Sequence, residues 1–124
     1  MKTAQNFLKK TNEIVEKNDT LDANKKHGFD ETIFIDVRDS GDIRKTGTIK
    51  DALTIPRGFI EFAADDQTPY FNTKLNKNSE IILVCGAGGQ AALSGKTLIE
   101  MGYSNVKNVG GIGDWEKNNG PMDK

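Results

Sequence analysis

A chain of 124 residues with 35% hydrophobic positions has the size of one domain and can bury a core without disulfide staples or a structural metal. Seventeen Lys and Arg stand against eighteen Asp and Glu for a net charge of -1, which lacks the basic surplus of a nucleic-acid binder. No apolar run approaches the ~18 residues of a bilayer span and Met1–Asn6 has no stretch of signal-peptide length, so neither nucleic acid nor a membrane is an expected partner, and a cytoplasmic location is the expectation.

Residues 3–17 place Phe7, Leu8, Thr11, Ile14 and Val15 at helical spacing, opposite Lys9, Lys10, Glu13 and Glu16. This predicts an amphipathic first helix. Residues 18–30 are polar and rich in turn formers and read as loop, with a short helical turn around Leu21 and Ala23. Ile33–Val37, Ala52–Ile55 and Ile81–Val84 are short runs of β-formers without polar alternation, the pattern of strands covered on both faces. Phe59–Ala64 reads as a short helix and residues 65–78 as a polar connection. Ala91–Met101 reads as a helix with Ala91, Gly95, Leu98 and Gly102 on one stripe, Gly102 suiting a left-handed C-terminal cap. Val106–Val109 is the last predicted strand, and Ile112–Asn118, with Trp115, the last helix. Strands alternating with helices imply an α/β class with parallel pairing.

Ile81 to Ala91 is the most informative stretch, because strand, glycine-rich loop and helix start follow directly. Gly86, Gly88 and Ala91 match the spacing of a dinucleotide fingerprint, but that motif belongs in the first strand–helix unit and needs an acidic ribose partner after the next strand. Gly89 with Gly95-Lys96-Thr97 nearly spells a phosphate-binding loop, yet five residues separate the glycines where four are required. A cysteine phosphatase loop needs an arginine fork near its end; the sixth residue after Cys85 is Ala91, and no arginine follows Arg57. Sulfur transfer asks for a thiol that ionises readily, a nest of backbone N–H groups for an anionic persulfide, and access for a small anion. Cys85, between a strand end and a helix N-terminus, offers the first two. It is the only cysteine, and by itself reads equally as a small buried hydrophobe at a tight turn.

From about Thr32 to Met122 the chain resembles the rhodanese-like (sulfurtransferase) domain family. Ile35-Asp36-Val37-Arg38 resembles its first-strand signature. Gly47-Thr48-Ile49-Lys50-Asp51-Ala52, followed by Ile55-Pro56, is similar to its G-H-I-x-G-A-x-x-I-P segment. Cys85 to Gln90 is similar to its six-residue catalytic loop, and Gly102-Tyr103, Asn105-Val106 and Gly110-Gly111 with Trp115 resemble its closing pattern. The resemblance implies a single domain over residues 31–124 with a central parallel sheet of about five strands, preceded by the helix and linker of residues 1–30.

It further implies that Cys85 is a nucleophile carrying a persulfide, surrounded by the amides of Gly86, Ala87, Gly88, Gly89 and Gln90. A small sulfur-containing anion would be the donor and a thiophilic nucleophile the acceptor, with no cofactor. Asp36 and Arg38 align with a pair near that loop, although the two residue types equally make a turn cap and a local ion pair. Arg57, just after Pro56, is a candidate for an anion-attracting rim. His27 is the only histidine, so a metal site is not expected. Three positions depart from the family pattern. Gln90 stands where many members have arginine, Thr48 replaces a usual histidine, and Asp51 a usual glycine. The competing class is a rhodanese-like binding or regulatory module without catalysis; oligomeric state is not written in the sequence.

Overall fold

The computed structural model describes residues 1–124. Thr3 opens the first helix, α1 (Ala4–Ile14), through a capping box with Asn6. The helix is shorter than its apolar pattern suggests: Val15 turns extended, and Glu16–Lys17 continues as strand β1. Hydrophobic spacing cannot mark this end, because Val15 stays buried after the chain has left the helix. The predicted helical turn near Leu21 is α2 (Thr20–Lys25). The segment expected as helix and linker therefore supplies a strand of the main sheet.

The remaining elements are β2 (Thr32–Asp36), α3 (Ser40–Thr46), β3 (Thr48–Ile49), β4 (Leu53–Thr54), a 3₁₀ turn at Arg57–Phe59 running into α4 (Ile60–Ala63), β5 (Glu80–Cys85), α5 (Gly89–Glu100), β6 (Asn105–Gly111), α6 (Ile112–Lys117) and β7 (Met122–Asp123). Five strands form one parallel sheet in the order β1-β6-β5-β2-β4. The short strands β3 and β7 pair antiparallel beside it. The sequence carries no signal for helix α3 or for strands β1, β3 and β7. α3 buries none of its residues and the three strands span two residues each, so none writes a periodic apolar pattern.

Strand alternation divides the core between the two faces of the sheet. Ile81, Leu83 and Cys85 join Ile35, Ile60, Ala91 and Leu98 on the face of α4 and α5, whereas Ile82 and Val84 join Phe34, Ile49, Ile112 and Trp115 on the face of α2 and α6. Covering both faces is what makes Ile33–Ile35 of β2 and Ile81–Cys85 of β5 continuous apolar runs. Helix α1 packs against α5, and Val15, just past its end, sits so close to α5 that a Cβ at Gly95 would come within 2.9 Å of Val15 Cγ1. No helix is long and apolar enough to cross a membrane.

β5 is the middle strand, and its ends differ in character. At its start Glu80, with a side chain only 13% exposed, accepts from Lys26 Nζ at 2.7 Å and Lys107 Nζ at 2.6 Å. Burial pushes the Glu80 carboxyl up, but hydrogen bonds and charge from Lys107 and Lys26 outweigh it and hold the group below its ordinary value. The hydrogen bond to Glu80 in turn raises Lys107. A depressed carboxylate stabilises the fold above its unfolded pKa, and that contribution disappears as pH falls through the folded value; a raised lysine contributes below its unfolded pKa and loses the contribution as pH rises through its folded value. Glu80→Gln is therefore expected to lower the unfolding free energy by about 1–3 kcal/mol near neutral pH. Urea titrations should show the wild-type advantage shrinking toward zero below pH ~4; a difference unchanged in acid would assign the effect to something other than the carboxylate.

Candidate functional site

The other end of β5 carries Cys85, which is 1% exposed. The chain leaves the strand through Gly86 and Ala87 and enters α5 at Gly88, whose left-handed backbone (φ 101°) caps the helix. Glycine adopts that conformation without a steric penalty. The turn brings the Gly88 N–H to 2.9 Å from Cys85 Sγ, and the Ala91 N–H lies 3.4 Å from the same atom. Sulfur thus takes two donors of the first turn of α5, which has no side-chain cap of its own. Such N–H groups and the helix dipole behind them stabilise negative charge at the helix start.

The expected ring of amides is narrower than the glycine content suggests. Only Gly88 has positive φ within the loop, and the hydrogen bonds to Sγ come from Gly88 and Ala91, not from Gly86, Ala87, Gly89 or Gln90. Ala91 lies outside the predicted loop of Gly86 to Gln90. Its contribution is a backbone N–H that any residue would supply, so side-chain chemistry gives no signal for it. Gly86, Ala87 and Gln90 are exposed and form the solvent side of the loop.

Strand β6 supports the loop from beneath. Leu83 faces Asn108 and Val84 faces Gly110, leaving Val109 as the extra residue of a bulge. Gly110 takes positive φ, and a Cβ at Gly111 would lie 2.5 Å from Gly86 O. The Gly110-Gly111 pair thus lets the backbones of bulge and loop touch. A groove of about 330 Å³ runs on the outer side, between Leu8 and Asn12 of α1, Lys17, loop residues Ala87–Gly89, and Asn108.

The two arginines and the aspartate expected near the loop have other partners. Asp36 is fully buried, and its carboxylate accepts from the Arg38 backbone N–H at 3.0 Å, from Arg38 Nη2 at 2.8 Å and from Thr48 Oγ1 at 2.7 Å. Arg38, 4% exposed, also donates from Nη1 to Thr46 Oγ1 and from Nη2 to Gly47 O, both at 2.9 Å. The pair is a buried clamp joining β2 to the end of α3 and the start of β3. It makes no bond to the cysteine loop. Arg57 is half-buried against α5, with Nη1 3.3 Å from Glu61 Oε1 and Nη2 3.3 Å from Thr97 Oγ1. Its charge is offset by Glu61 and directed along the helix flank. Asp51 takes a left-handed backbone (φ 64°), the conformation that explains a glycine at the corresponding family position.

Residues 7–118 match the family model described as the rhodanese-like domain. The chain belongs to the rhodanese-like domain family. The match starts within α1, well before the motif-bearing residues from Thr32. Among solved structures, a Rhodopseudomonas palustris protein described as of unknown function and possible tyrosine phosphatase is 29% identical, with 99% of this chain and 96% of that one covered and a TM-score of 0.93. The homodimeric polysulfide-sulfur transferase of Wolinella succinogenes is 25% identical, with 94% and 84% covered and a TM-score of 0.76. An E. coli rhodanese solved with anions is 29% identical, with 67% and 89% covered and a TM-score of 0.55. No curated protein sequence matches the chain.

Within this rhodanese-like domain the Asp36–Arg38 clamp has a measurable signature. Asp36→Ala leaves a buried guanidinium without its carboxylate and is expected to cost about 3–5 kcal/mol of folding stability. Thr48→Val removes one of the carboxylate's donors and should cost about 1 kcal/mol. Both losses are read by urea unfolding; an Asp36→Ala protein as stable as wild type would mean that the clamp does not support the fold.

Proposed function

We infer that this rhodanese-like domain is a sulfurtransferase that carries sulfane sulfur on Cys85. The observation that supports this reading best is the pair of N–H donors on Sγ, at 2.9 and 3.4 Å, at the start of α5. In the first half-reaction the Cys85 thiolate attacks the outer sulfur of a donor such as thiosulfate. The donor's S–S bond breaks, sulfite leaves with the electron pair, and Cys85 holds a persulfide anion. In the second, a thiophilic nucleophile such as cyanide or a thiolate attacks the outer sulfur, and the Cys85 thiolate is the leaving group. Amides fixed before the reaction stabilise the anion carried between the two steps without reorganising. Polysulfides and persulfides are donors for the same chemistry, and the similarity to the Wolinella polysulfide-sulfur transferase supports a polysulfide among them.

Phosphoryl transfer, suggested by the description of the Rhodopseudomonas relative, fits the residues less well. It needs a bidentate arginine on the phosphate oxygens. No arginine follows Arg57, and Arg57 bonds Glu61 and Thr97. A non-catalytic module is the second reading, favoured by the burial of Cys85 and by the use of its sulfur to cap α5.

Intact mass after incubation with thiosulfate or polysulfide separates the two. The enzyme gains one sulfur on Cys85 and loses it to cyanide, and Cys85→Ser neither gains sulfur nor forms thiocyanate. Equal thiocyanate formation by wild type and Cys85→Ser would sink the proposal. Position 90 tests donor preference. Gln90→Arg adds a charge-assisted donor on the exposed side of the loop, and is expected to lower the Michaelis constant for thiosulfate by about tenfold, with a smaller effect on a polysulfide. Gln90→Met should give no such gain; equal constants for both variants and wild type would show that residue 90 does not meet the donor.

A further inference from the structure

Asn108 is a polar residue at a register position that apolar side chains would fill. It lies in β6 opposite Leu83 and is 6% exposed, and burying an amide is unfavourable unless both of its ends are paired. Both are. Nδ2 donates to Gly88 O at 2.9 Å, and Oδ1 accepts from the Gly110 N–H at 2.8 Å. Its backbone carbonyl accepts from the Asn18 N–H at 2.9 Å, which ties the same residue to the chain just after β1. One side chain therefore spans the bulge in β6 and the residue whose N–H points at the reactive sulfur.

Gly88 has little intrinsic preference for its conformation, since glycine populates positive and negative φ with similar ease. What holds it must come from outside the residue. The Gly88 carbonyl accepts from the Ala92 N–H at 3.0 Å and from Asn108 Nδ2. Carbonyl and N–H of one residue are linked through its Cα, so pinning the carbonyl from β6 restrains the direction of the N–H. A Cβ at position 88 would be 3.7 Å from Asn108 Nδ2 and 3.5 Å from the Gly110 Cα, so the side chain and the bulge are in contact with this turn.

We propose that Asn108 is a positioning residue: its side-chain amide locks Gly88 in the left-handed turn that aims the 2.9 Å N–H donor at Cys85 Sγ, and so sets how fast Cys85 takes up sulfur without itself bonding to the sulfur. The proposal rests on the sulfurtransferase reading. A displaced amide would no longer meet the charge it is built to stabilise, and small misplacements of such groups have large kinetic effects.

The test compares the full chain with Asn108→Ala, which loses both bonds and the side-chain volume, and Asn108→Leu, which loses both bonds but keeps the volume at this buried position. Sulfur uptake from thiosulfate is followed by intact mass, steady-state turnover by thiocyanate, and stability by thermal melting. Both variants are expected to load sulfur about tenfold more slowly or worse, with the loss in kcat rather than KM. Asn108→Leu should melt closer to wild type than Asn108→Ala, because it leaves no cavity, while losing as much activity. If Asn108→Ala does not fold, Asn108→Leu carries the test. Variants that load sulfur at the wild-type rate, or deficits that follow melting temperature alone, overturn the proposal while leaving the sulfurtransferase reading intact. A wild-type chain that takes up no sulfur overturns that reading, and this proposal with it.

Discussion

The hydrogen bond from the Gly88 N–H to Cys85 Sγ, 2.9 Å long, requires a left-handed turn within three residues of a strand end. That requirement organises much of the surrounding structure. Cys85 must end the middle strand, so that its sulfur faces the start of α5. The loop must come close to β6, which forces Gly111 beneath Gly86 O and a bulge at Val109. Helix α5 must sit close to the sheet and to the chain just past α1, which Gly95 permits by leaving room for Val15 and Leu83. The crevice at the carboxyl ends of a parallel sheet is where α/β folds place ligands, and the short turn makes that end donor-rich.

Side-chain charge is used elsewhere. Glu80 with Lys26 and Lys107 fastens the start of β5, and Asp36 with Arg38 fastens the turns after β2. In both clusters the charges are paired with one another, and at Asp36 and Arg38 also with Thr46, Gly47 and Thr48, which is how charges in partly or fully buried positions are accommodated. At the cysteine, by contrast, the contacts to sulfur are neutral backbone dipoles. The two donors are set by backbone geometry and bring no net charge to the sulfur.

The reading of the sequence succeeds where physics leaves a periodic or chemical trace. β2 and β5 are runs of β-formers covered on both faces, and α5 opens with glycines and closes on Gly102, whose φ of 99° is the expected left-handed cap. Cys85 stands out because strand, loop and helix follow without interruption. The trace fails where the determinants are short or carried by the backbone. β1 is two exposed residues, recognisable only by its pairing with Lys107 and Asn108. α3 has no buried face, so nothing in its composition separates it from a polar loop. Asp36 and Arg38 are legible as a pair, but their neighbours Thr46, Gly47 and Thr48 enter only through the fold. The same holds for the Ala91 amide and for Asn108, since an asparagine inside a strand carries no motif.

The most direct measurement is a crystal structure of the protein after exposure to polysulfide. The account predicts one additional sulfur bonded to Cys85 Sγ, with the Gly88 and Ala91 N–H groups still directed at the sulfur pair and the loop otherwise unmoved. An unmodified Cys85 in protein shown to be active, or a persulfide whose loop has turned both N–H groups away, would contradict the claim that these two amides hold the transferred sulfur.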